Sequence, residues 1–164
     1  MQRKLALTAV LAVALAMTGY AQKPDFSGVW TPDAPAAAAP APTGGGGAGG
    51  RGMAAGPMTV KQTATDLTIE RTAGENKIVS TYKLDGSESV NKMMGRGGEV
   101  ETKSTAKWDG SKLTIVTKTP APDGSVREAT QTWSLEGGNL VVESTRPGRD
   151  GSPTTAKTTY KKTT

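Results

Sequence analysis

From Met58 to its end the chain sets apolar and polar residues in alternation over short runs, the period of a strand with one buried face. The pattern predicts strands at about 58–64, 66–72, 77–84, 88–93, 99–108, 112–119, 125–135, 139–146 and 154–162, with 88–93 the weakest. A further short run at 26–31 brings the total to about ten. Four Asp-Gly pairs, Asp85-Gly86, Asp109-Gly110, Asp123-Gly124 and Asp150-Gly151, fall between runs. Asp-Gly tolerates the positive φ of tight turns, so each pair marks a reversal between antiparallel neighbours. No window carries a useful helical apolar stripe. The expected fold is all-β, an antiparallel up-and-down meander closing into a barrel of about eight to ten strands.

The alternation also assigns faces. Ile78, Tyr82 and Leu84 share one side, opposite Val79, Thr81 and Lys83, while Leu113 and Ile115 share another. A weak repeat reinforces the hairpins: Trp108 and Trp133 are each followed by a tight turn and two apolar residues two apart. Extending the phases inward adds Gln131 and Arg127 to the Trp133 face, Ser144 and Arg146 to the Leu140 face, and Arg71 to the Leu67 face. Ala106, Ser104 and Thr102 join Trp108. An interior apolar at one end and polar or cationic at the other suits a ligand-holding barrel. The candidate lining is Tyr82, Trp108, Leu113, Ile115 and Trp133, with Arg127 or Gln131 meeting a polar group of a small apolar or amphiphilic molecule. The competing reading is that the strands outrun the core, so that Arg71, Arg127 and Arg146 reach solvent at the rim. The supply of large apolar residues covers one face of one sheet system, which predicts a thin core.

The start of the chain breaks this pattern. Arg3 and Lys4, the apolar run Leu5 to Ala16, and small residues Gly19 and Ala21 have the layout of a secretory signal with cleavage before Gln22. The apolar run is too short to span a bilayer, and no cysteine follows to carry a lipid. The expected organisation is a signal peptide at 1–21, a first strand with a Gly-x-Trp motif at 22–31, an Ala/Pro/Gly-rich linker or lid loop at 32–57, and an antiparallel β domain at 58–164. The expected product is periplasmic or secreted, a monomer, with no stable membrane insertion after cleavage.

Composition narrows the chemistry. The formal charge is +5, and removing residues 1–21 takes away two of the 20 basic residues and none of the 15 acidic ones, leaving +3. Lys and Arg are interleaved with Thr, Ser and Glu, which does not suit nucleic acid. The chain has no Cys and no His, so disulfides, the usual zinc, copper and haem ligands, and the commonest general base are all missing. The Asp residues of the Asp-Gly pairs are explained as turn formers, and no carboxylate pair has the arrangement of a glycosidase. Gly95–Gly98 is not a phosphate loop, lacking the Lys-Ser/Thr that closes one. The reading is a non-enzymatic protein with no cofactor and no metal.

Three stretches carry a family resemblance. DFSGVW at 25–30 resembles the Gly-x-Trp opening of the calycins, the lipocalin and fatty-acid-binding-protein β-barrels. KWDGSKLTIVTKT at 107–119 and TTYKK at 158–162 are similar to a late hairpin and the last strand of fatty-acid-binding proteins. The resemblance implies that Gly28 and Trp30 are structural residues closing the barrel base, and that 34–57 lies where the family keeps its portal lid. It would also set arginines at positions 117 and 158, which here hold Thr117 and Thr158, so fatty-acid capture does not carry over. The alternative function is a cavity-free envelope or extracellular module whose Thr/Lys-rich outer strands contact anionic polysaccharide or membrane surface.

Overall fold

Threonine, valine, isoleucine and tyrosine pack well on a pleated surface, and the runs rich in them form ten strands. They are β1 (Gly28–Pro32), β2 (Met58–Gln62), β3 (Asp66–Ala73), β4 (Asn76–Lys83), β5 (Glu88–Gly95), β6 (Gly98–Asp109), β7 (Lys112–Pro120), β8 (Val126–Glu136), β9 (Asn139–Pro147) and β10 (Pro153–Thr163). The computed structural model describes residues 23–33, 56–73, 76–95, 98–121, 123–148 and 151–163. The expected signal at 1–21 and most of the expected linker, 34–55, lie outside the described residues. Among the described residues no helix is long and apolar enough to cross a membrane.

All ten strands belong to one antiparallel sheet in the order β4-β3-β2-β1-β10-β9-β8-β7-β6-β5. The sheet rolls until its two end strands lie side by side, giving a nearly closed all-β meander barrel, as the alternation predicted. β1 pairs with β2 on one side, Trp30 opposite Met58, and with β10 on the other, Trp30 opposite Lys162. The chain between β1 and β2 thus links adjacent strands of one sheet. The first strand begins at Gly28 rather than at 26, because Phe26 is held by side chains ahead of the ladder. Gln62 on β2 accepts from the Phe26 amide at 3.0 Å and donates to the Pro24 carbonyl at 3.0 Å.

The inward faces of the strands form one core. Phe26, Trp30, Met58, Leu67, Leu113, Ile115, Trp133, Leu140 and Tyr160 are essentially solvent-free. Burying an aliphatic side chain of this size stabilises by about 1.5–3 kcal/mol. The aromatic cluster sits beside the first strand, where Phe26 stacks on Trp108 at 5.6 Å between centroids and meets Trp133 edge-on at 5.8 Å. The Trp30 indole donates to the Phe26 carbonyl at 2.8 Å, which satisfies its buried N–H. Gly28 has φ +146, and a Cβ there would lie 2.5 Å from Lys162 Cε. The missing side chain lets the Lys162 stem pass, and its ammonium rests 5.6 Å from the Trp30 ring centroid.

The Asp-Gly reversals divide into three kinds. At β6–β7 the ladder runs to Asp109 opposite Lys112, so the tight turn is Gly110-Ser111, with Gly110 at φ +59. The β7–β8 and β9–β10 loops share one design that the sequence reading did not notice, each flanked by Pro at the start and Asp-Gly-Ser at the end. Ala121 donates to Ser125 and Gly124 to Ala121, just as Gly148 donates to Ser152 and Gly151 to Gly148. Asp85-Gly86 corrects the expectation, because β4 and β5 share no backbone ladder. Side chains join them instead: the Asn91 amide accepts from the Thr81 N–H at 2.8 Å and donates to the Thr81 carbonyl at 3.0 Å. Ser89 Oγ accepts from the Lys83 N–H at 2.8 Å. β5, read as the weakest strand, is fully formed over eight residues.

Two outcomes test this account. Gly28→Ala forces a side chain onto a backbone conformation that L residues rarely adopt and should destabilise by about 1–3 kcal/mol, measured as a lower urea midpoint. Asn91→Ala removes both bonds to Thr81 and should cost about 0.5–1.5 kcal/mol for each bond lost, with amide exchange at Thr81 accelerating before that of the β7–β8 ladder. Unchanged exchange at Thr81 would show that the seam is closed by something else.

Candidate functional site

Period-two alternation sends Ile69 and Arg71 of β3 and Ile78, Ser80 and Tyr82 of β4 to the same inner face. Together with Gln131 from β8 they line a small cavity of about 10 Å³. A space of that size holds about one water molecule. The side of the cavity formed by β3 and β4 is apolar except for Arg71, Ser80 and the tyrosine hydroxyl.

Arg71 is the unusual group. Its Nη2 donates at 3.2 Å to the sulfur of Met58, which sits opposite it in the β2–β3 ladder. A thioether is a weak acceptor. Its Nε and Nη1 are sealed from solvent and have no hydrogen-bond partner. The ion pairs among the described residues join Lys61 and Lys77 to Glu70, Lys92 to Glu99, Lys103 to Glu88, Lys118 to Glu128, Lys157 to Glu136 and Lys161 to Asp33. All involve lysines outside the barrel, and none reaches Arg71. Burial pushes the Arg71 guanidinium below its ordinary range, and coupling to Tyr160 and Tyr82 opposes that only in part.

Other inward polar atoms share this condition. The hydroxyls of Tyr160 on β10 and Ser144 on β9, and the indole N–H of Trp108 on β6, are sealed from solvent without partners. Ser144 sits opposite Gln131 in the β8–β9 ladder. Gln131 Oε1 accepts from the Trp133 indole at 3.2 Å. Elsewhere the buried polar groups are matched: Ser104 shares a 2.9 Å bond with Thr117, and Thr102 donates to the Asn91 carbonyl at 3.2 Å. The unmatched set therefore lies around Arg71 and Tyr160, with Trp108 apart from it.

The expected lining residues divide accordingly. Tyr82 and Gln131 border the cavity. Leu113, Ile115 and Trp133 are fully buried in the core, and Trp108 is half-buried against it. Gly28 and Trp30 stand at the start of the barrel wall beside the aromatic cluster. Arg127 is exposed and does not border the cavity. The β8–β9 ladder begins only at Thr130, so Arg127 pairs with β7 alone, on a hairpin that projects past the barrel body. Arg146 is exposed as well, so the rim reading describes these two arginines. It does not describe Arg71. The spacing Leu67-Ile69-Arg71 carried the signal, and the general rarity of buried arginine hid it. Among the described residues no cluster of three or more acidic side chains could hold a metal ion.

No family model matches the chain, and no curated protein matches it. Solved structures do show a likeness. The zebrafish ileal bile acid-binding protein complexed with cholic acid is 27% identical, with a TM-score of 0.48 over 65% of this chain and 72% of that one. The REP1-NXSQ fatty acid transporter is 12% identical, with a TM-score of 0.48 over 66% of this chain and 70% of that one.

Burial raises both Tyr82 and Tyr160 above the ordinary tyrosine value of 10.0, with Ser80 and Arg71 pulling Tyr82 back and Arg71 pulling Tyr160 back. A raised folded-state value means that the neutral rings stabilise the fold fully below pH 10.0, and that this stability is lost as pH rises through the raised values. A chain starting at Gln22 has only these two tyrosines. Absorbance at the phenolate band should therefore stay flat past the ordinary tyrosine range and rise with unfolding. A smooth titration at the ordinary value would show that the rings are open to water.

Proposed function

We propose that this chain is an exported, non-catalytic barrel that binds a small amphiphilic molecule in its interior. The observation that carries the reading is the inward, unmatched Arg71 beside the apolar wall of Ile69 and Ile78, together with the unpartnered hydroxyls of Tyr160 and of Ser144, which sits opposite the cavity residue Gln131. A protein gains nothing in stability by burying such groups unpaired, since each one costs about 1–3 kcal/mol. A ligand with a polar end and an apolar body meets both needs at once. The layout of residues 1–21 supports delivery to the periplasm or beyond.

The cavity beside Arg71 has room for about one water, so ligand entry there must displace side chains. Met58 is flexible and lies directly on Arg71, and the seam between β4 and β5 is held by side chains alone. Both features let the wall move without breaking a ladder.

The small size of that cavity also favours a second reading, an envelope or extracellular module that works from its outer face. Its Thr- and Lys-rich strands would then contact anionic polysaccharide or membrane surface.

Native mass spectrometry of protein purified from its own host separates the two. The binding reading expects a co-purifying small molecule that is lost on denaturation, and re-uptake of an amphiphile by the stripped protein with a change in Trp133 emission. An empty barrel that takes up no amphiphile, yet is retained on an anionic polymer in a salt-sensitive way, would replace it with the second reading.

A further inference from the structure

We infer that Arg71, with the Tyr160 hydroxyl, forms a receptor for a single carboxylate-type anion inside the barrel. The inference deepens the binding reading above and rests on it. The guanidinium presents two N–H-bearing nitrogens, Nε and Nη1, that touch neither protein acceptor nor solvent. Both two-pronged edges of a guanidinium include Nη2, so a carboxylate would pair Nη2 with Nε or with Nη1 once it displaces the weak Met58 Sδ contact. A buried cation without a counter-charge is strongly unfavourable, and every carboxylate in an ion pair among the described residues is taken by a lysine outside.

The surroundings fit one negative charge and little more. Tyr160 on β10, separated from β3 by β2 and β1 in the sheet, has a hydroxyl sealed from solvent without a partner and is electrostatically coupled to Arg71, so it supplies a further donor. Its ring stays neutral, which keeps it a donor rather than a competing anion. Ile69 and Ile78 flank the guanidinium and would meet hydrocarbon rather than a second charge. Met58 Sδ occupies the remaining nitrogen as a weak, easily displaced partner. The positions where the family resemblance would set arginines hold Thr117 and Thr158, and Thr117 is already bonded to Ser104. The charge here comes from β3 instead.

A carboxylate can arrive as a free small anion or as the head of an amphiphile, and three probes tell these apart: acetate, dodecanoate and dodecanol. Titration calorimetry on the wild type should show dodecanoate binding about 10–100-fold more tightly than dodecanol. Arg71→Gln should abolish that preference while leaving dodecanol affinity within about threefold. Tyr160→Phe should reduce it in part. If acetate binds in an Arg71-dependent way while neither long-chain probe does, the anion receptor stands and the amphiphile reading falls. If dodecanoate and dodecanol bind equally and Arg71→Gln changes nothing, the receptor falls and the amphiphile reading stands. If none of the three binds, both fall. Stability gives an independent check. Arg71→Met should leave the ligand-free protein at least as resistant to urea as the wild type, because it removes an unpaired buried charge. A clear loss of stability would mean that Arg71 serves the fold, and would overturn the receptor.

Discussion

The two-sided pairing of β1 holds this fold together. Five residues, Gly28 to Pro32, lie between β2 and β10 and join a three-stranded piece, β2 to β4, to a six-stranded piece, β5 to β10. Neither piece alone buries its inner face. The strand is short, so its hold depends on what accompanies it: Trp30 anchored to the Phe26 carbonyl, Phe26 set against Trp108 and Trp133, and Gln62 clasping the backbone just upstream. The aromatic cluster thus links the start of the chain to β6 and β8, far away in sequence, adding packing across the barrel to the two ladders of β1.

The opposite closure is made differently. Where β4 meets β5, an asparagine and a serine stand in for the missing ladder. The barrel is joined by ring packing where the aromatics meet and by two polar side chains where β4 meets β5. The unmatched Arg71 lies on β3, one strand from the seam. That arrangement sets a buried charge one strand from the side-chain-bridged seam.

Much of the fold was legible in the sequence because alternation with period two has a single physical meaning. Tyr82 and Leu84 are buried while Val79, Thr81 and Lys83 are exposed, as the phase required. The buried polar face of Thr102 and Ser104 followed from Trp108 in the same way. What alternation cannot supply is where a strand leaves the body of the barrel. Arg71, Arg127 and Arg146 carry the same phase signal, yet only Arg71 lies within the paired core, because register between distant strands decides how far each ladder extends. The absence of a β4–β5 ladder was equally hidden, since Asp85-Gly86 looks locally like the other reversals. The side-chain bonds of Asn91 and Ser89 depend on a closure that no local pattern records.

The seam has one more consequence, for how copies of this protein tolerate one another at high concentration. An open sheet edge offers a row of unused amide and carbonyl groups on which a neighbouring chain can add a strand. Here the Thr81 amide and carbonyl and the Lys83 amide are already engaged by Asn91 and Ser89 of the same molecule. The bridge that closes the seam also masks the stretch of backbone on which fibrous stacking would start.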